Sequence, residues 1–127
     1  MLRSILAVII AIITWFLVAT IGNLIVRLAI PGYSAVEVSL NFTLTMMICR
    51  LVVGLVSSLC TGFVCAKISR NRIAAKIVAA IILILFLPVH YMLWNKFPVW
   101  YHLFFLITLA PTILIGAGRA NQSSQVA

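Results

Sequence analysis

A chain of 127 residues that is 65% apolar and 8% charged is no water-soluble domain. Soluble domains carry about 25% charged and roughly 45 to 50% apolar residues, and a chain this short has too little interior to hide the excess. Nine Lys/Arg against one Asp/Glu give a net charge of +8, but nucleic-acid binding needs a basic patch on a polar surface, and almost no such surface exists here. The solvent is the lipid bilayer, and no nucleic-acid partner is expected.

Charged residues divide the chain into spans. Arg3 and Arg27 enclose 23 uncharged residues; Glu37 and Lys67 enclose 29, interrupted only by Arg50; Lys76 and Lys96 enclose 19, and Lys96 and Arg119 enclose 22. About 20 apolar residues cross a hydrocarbon core as a helix. These runs are apolar on every face, unlike the alternating segments of a membrane barrel, and the backbone in lipid must satisfy its own hydrogen bonds. The reading is an all-α integral membrane four-helix bundle in one domain, residues 1–127, of antiparallel up-and-down hairpins. Its spans are expected over 4–28, 42–66, 73–94 and 99–118, with a flexible cytoplasmic tail over 119–127.

The first apolar run is too long for a signal-peptide core and lacks an A-x-A site, so it is expected to be retained. Pro31-Gly32 and Asn95-Lys96-Phe97-Pro98 mark turns. Ser34 to Glu37 has the pattern of a capping box. A helix from that box to Ala66 would be roughly 48 Å long, so it either projects beyond the lipid or splits into an interfacial piece and a span. Lys67, Arg70, Arg72 and Lys76 crowd the connection between spans two and three, and four spans put Arg3 and Arg119 on the same side. The positive-inside rule makes that side cytoplasmic, so both termini are expected inside. A bacterial inner membrane is the expected location.

In span two, Gly54, Ser58, Gly62 and Ala66 recur every four residues, the spacing of a small-residue helix-packing face. Arg50 continues that stripe, and an ionisable residue within the membrane is a candidate site. Arg50 either snorkels or pairs with Glu37 and carbonyl oxygens to lock the bundle, or its desolvated guanidinium binds a phosphate or carboxylate. Arg50 and Glu37 are the candidate polar site.

A second cluster brackets the third turn: His90, Tyr91 and Trp94 before it, then Phe97, Trp100, Tyr101 and His102. Folding the hairpin near residue 96 brings His90 and His102 to similar depth. With Tyr33 and Phe42, the Tyr, Trp and Phe rings cluster at the expected outer boundary, and an interfacial aromatic belt explains them. The two histidines are candidates for a metal, with Cys49 or Glu37 as further ligands, but they match no HxxxH or CxxC spacing, so no metal and no cofactor is expected. Pro88 and Pro111 release the carbonyls of Ile84 and Ile107, with Thr108 and Thr112 placed to compensate. Asn41-Phe42-Thr43 matches a glycosylation pattern, but at a membrane boundary. Cys49, Cys60 and Cys65 lie at different depths of one helix and form no disulfide framework.

No nucleophile triad, phosphate loop or carboxylate pair occurs, so no enzyme activity is expected. In size and span count the chain resembles the small multidrug transporters, but it lacks their membrane-embedded glutamate; no residue pattern matches the fluoride channels of similar size. The stripe in span two points to a small accessory or assembly component that contacts a membrane-protein partner or its own copies. The alternative is an oligomeric channel or carrier for a small anionic or neutral solute, with Arg50 at the site.

Overall fold

The computed structural model describes residues 2–39, 42–70 and 72–126, with the side chains of residues 34, 37, 38 and 121–126 outside the description. It is all-helical: α1 (Leu2–Ala29), α2 (Tyr33–Ser39), α3 (Leu44–Ser69), α4 (Arg72–Met92) and α5 (Val99–Val126). Four of these, α1, α3, α4 and the Val99–Ala120 part of α5, are long and apolar enough to cross a membrane. Large apolar side chains such as Ile5, Ile13, Ile25, Val52, Ile84 and Ile107 face outward, as lipid requires and water would not permit.

Local sequence sets each boundary. α1 has no internal proline, and its Thr14 and Thr20 hydroxyls donate to the carbonyls of Ile10 and Phe16 at 2.8 and 2.7 Å, which satisfies them without a partner helix. Pro31 and Gly32, at φ +78°, turn the chain. The Val36 N–H then donates to the Gly32 carbonyl, so α2 begins one residue before the expected capping box. Gly32 holds the capping position because its positive φ is free of steric cost. Ser34 falls inside the first turn, and the box's side-chain bonds lie outside the described residues.

The long second helix splits. Thr43, at φ −74° and ψ 166°, caps α3 by accepting from the Met46 N–H at 3.3 Å, which separates the short α2 from the span. At the other end Arg70 adopts φ 55° and donates its N–H to the Ala66 carbonyl at 2.8 Å, closing the helix before the turn into α4. The backbone of α5 is helical to Val126; no proline follows Pro111, and Gly118 lies within the helix.

α3 is the central element, packed most extensively on α5 and α1. A Cβ on Gly62 would lie 1.8 Å from the Ile113 carbonyl oxygen, and one on Gly116 would lie 2.2 Å from that of Leu59. The backbones of α3 and α5 therefore touch directly, each through a glycine. α1 meets α3 through Trp15, whose indole N–H donates to Ser58 Oγ at 3.1 Å, while that hydroxyl donates to the Gly54 carbonyl at 2.8 Å. Arg3 Nε donates to the Ile68 carbonyl near the end of α3, and Gly22 sits against Val53.

Candidate functional site

Arg50 lies about 9 Å along α3 from Leu44, at the helical rise of 1.5 Å per residue. Its guanidinium turns inward. Nη1 donates to Tyr33 Oη at 3.2 Å and Nε to Tyr101 Oη at a longer 3.4 Å, and the group lies over the Phe42 ring at 4.9 Å. Phe42 stacks on Phe97 at 5.2 Å, and Phe97 on Tyr101 at 4.6 Å. Three elements thus hold the cation: α2 through Tyr33, the α3 entry through Phe42, and the first turn of α5 through Tyr101.

These partners are neutral. Phenol oxygens and a ring face support a guanidinium through hydrogen bonds and the ring quadrupole but do not cancel its charge. With two N–H groups engaged, three of the five donors of the guanidinium have no hydrogen-bond partner among the described residues. Glu37, the other half of the expected polar site, has its side chain outside the described residues. Among the described residues, Arg50 has no carboxylate partner.

Beside Arg50 lies a recess of about 260 Å³ bounded by α1, α3, α4 and the start of α5. Six aromatic residues line it: Trp15, Phe16, Phe86, Phe97, Tyr101 and Phe105. Polar atoms come from Arg50, His90, Tyr101, Thr20 and Asn23. Exposed Phe16, Thr20 and Val89 mark its mouth between α1 and α4. A mostly apolar concavity with a few converging polar groups is the usual form of a small-molecule site, and this one falls just under the roughly 300 to 1,000 Å³ of drug-sized sites.

His90 and His102 meet on the α4–α5 side. Their Nδ1 atoms are 2.7 Å apart, both rings are buried, and His102 Nε2 is buried with no hydrogen-bond partner among the described residues. His102 stacks on Trp94 at 5.0 Å, while His90 borders the recess. As a metal centre the pair offers two nitrogens. Among the described residues no group of three His, Cys, Asp or Glu side chains converges, whereas even an open zinc site uses three protein ligands.

The small-residue stripe faces inward along its whole length. Gly54 abuts the Phe105 ring, Ser58 bonds Trp15, Gly62 abuts the Ile113 backbone and Ala66 is buried. The aromatic belt divides in two. Tyr91, Trp94 and Trp100 are exposed, but Tyr33, Phe97 and Tyr101 are buried around Arg50 and the recess. The proline compensation also differs from expectation: Thr108 Oγ1 donates to the Phe104 carbonyl at 2.6 Å and Thr112 Oγ1 to that of Thr108, because a threonine in a helix reaches the carbonyl four residues back and not that of Ile107.

The α1 wall of the recess was missed from sequence. Trp15, Ala19 and Asn23 follow Ala7 and Ala11 at four-residue steps, and Asn23 is the one side-chain amide in that span. That spacing was the available signal. No family model matches the chain, and no curated protein or solved structure matches it.

Proposed function

We propose that the chain is a non-catalytic multi-pass membrane protein that binds a small organic anion, a carboxylate with a flat apolar body, as the first step of carrying it. One observation carries this reading: among the described residues, Arg50 has only neutral partners and keeps N–H donors unengaged beside an aromatic-lined recess. A guanidinium matches a carboxylate with paired donors, and the six rings suit a flat apolar body better than a hydrated inorganic ion.

The assembly reading rested on the small-residue stripe. Gly54, Ser58 and Gly62 now have partners within the chain, so what supports that reading is reduced to outward apolar side chains, which lipid covers. We further propose antiparallel up-and-down helices with both termini cytoplasmic in a bacterial inner membrane. Supporting this, Arg3 meets Ile68, Trp15 meets Ser58 and Gly22 meets Val53, so the end carrying Arg3 also carries the basic turn. The recess then opens toward the outer leaflet.

Benzoate is the direct probe. Equilibrium dialysis against the protein in lipid nanodiscs should show saturable binding that Arg50→Gln abolishes and benzamide does not reproduce. Equal uptake of benzoate by wild type and Arg50→Gln would refute the reading.

A further inference from the structure

His90 belongs to two structures at once. It borders the recess that Arg50 borders, and its Nδ1 lies 2.7 Å from His102 Nδ1. We propose that the recess takes up its anion together with a proton, which the histidine pair accepts. The proposal rests on the anion reading of Arg50 and adds a second charge to the exchange.

The chemistry follows from the geometry. Two imidazole nitrogens at 2.7 Å share a hydrogen bond, so one ring donates from Nδ1 and the other accepts. A neutral pair holds two protons on four nitrogens, and one Nδ1 is committed to the shared bond. One Nε2 then lacks a proton in either tautomeric arrangement. A proton from solvent forms an N–H bond there and leaves an imidazolium whose charge the two rings share. The added charge needs a counter-ion, and none of the described residues lining the recess is acidic.

The titratable and charged groups facing His90 are His102 and Tyr101 from α5 and Arg50 from α3; α1 brings only Thr20 and Asn23, which do not titrate, and α4 itself adds none at the recess. Tyr101 links the two ends of the site: its ring lies 6.2 Å from that of His90, and its hydroxyl accepts from Arg50 Nε. An anion seated on Arg50 therefore sits between two cationic groups. By linkage, whatever the anion does for protonation, the proton does equally for anion affinity. One anion and one proton entering together leave the net charge of the site unchanged, which matters where charge burial in lipid is costly. This supplies a coupling group in a chain whose four long apolar helices contain no Asp or Glu.

Benzoate binding to the protein in nanodiscs is measured by calorimetry between pH 6 and pH 8, where its carboxyl stays ionised. Two buffers of different ionisation enthalpy then report the protons taken up. Affinity is expected to strengthen about tenfold from pH 8 to pH 6, with uptake approaching one proton per benzoate. His102→Gln, at a residue outside the recess wall, should keep the pH 8 affinity within about threefold, and both His102→Gln and His90→Gln should abolish the uptake and the pH dependence. Should one variant fail to fold, the other and the wild-type uptake decide. Benzoate binding that is independent of pH, without proton uptake, overturns the coupling and leaves the Arg50 reading standing. The same pH dependence in both histidine variants also overturns it. Absence of benzoate binding at every pH overturns both.

Discussion

Arg50 Nη1 donates to Tyr33 Oη at 3.2 Å, and this bond joins the short α2 to the central span. Tyr33 is fully buried, so the bond fixes where α2 lies as well as where the guanidinium points. Tyr33→Phe removes the acceptor and keeps the ring. The expected cost is about 0.5–1.5 kcal/mol of stability, read as a lower melting temperature in detergent, together with weaker benzoate binding as the guanidinium loses a fixed direction. Unchanged stability and unchanged binding would mean that the phenol does not orient Arg50.

The glycine contacts between α3 and α5 give a sharper contrast. Gly62→Ala and Gly116→Ala would each drive a methyl group into a facing carbonyl, forcing the helices apart at a cost of about 1–3 kcal/mol. Gly118→Ala meets nothing within 4 Å and should be neutral or stabilising by up to about 1 kcal/mol, since alanine is the better helix residue. Steric-trap or detergent unfolding of the three variants tests this order.

Trp15→Phe keeps an aromatic ring at the α1–α3 contact but deletes the indole N–H that Ser58 accepts. Side-chain hydrogen bonds between membrane helices average about 0.6 kcal/mol and reach about 1.7, so a loss in that range is expected. Ser58→Ala should lose a similar amount, and the double variant no more than either alone. Additive losses in that cycle would show that the two groups act independently.

Thr43→Ala removes the α3 cap at an expected cost of about 1 kcal/mol. Hydrogen exchange should quicken locally at Leu44 to Met46 and leave the α3–α5 core protected. Uniform loss of protection would contradict a local role for the cap.

How far the sequence reveals this arrangement depends on which physical signal marks each part. The four long apolar helices follow from run length, because lipid requires continuous apolar segments. The inward faces do not follow from hydrophobicity, since in lipid the buried face is no more apolar than the exposed one. Size marks them instead: Gly54 to Ala66 on α3 reads as a packing face, and the parallel pattern of Ala7, Ala11, Trp15, Ala19 and Asn23 on α1 signals a face that polarity alone hides. Tyr33 and Tyr101 escape notice in the sequence for another reason. Their positions near the turns fit an interfacial belt, and only the α2 turn at Gly32 and the first turn of α5 direct them to Arg50. The meeting of His90 and His102 was within reach of hairpin geometry, whereas the 2.7 Å approach of their rings required side-chain directions.

Trp15 lines the recess, which allows one titration to report both occupancy and location. Trp94→Phe and Trp100→Phe leave Trp15 as the single tryptophan, and 4-nitrobenzoate serves as an anionic quencher with 4-nitrobenzamide as its neutral counterpart. Saturable quenching of Trp15 by 4-nitrobenzoate is expected, at least about tenfold weaker with the amide and absent in the Arg50→Gln background. Equal quenching by acid and amide, or quenching that survives Arg50→Gln, would contradict anion binding at Arg50.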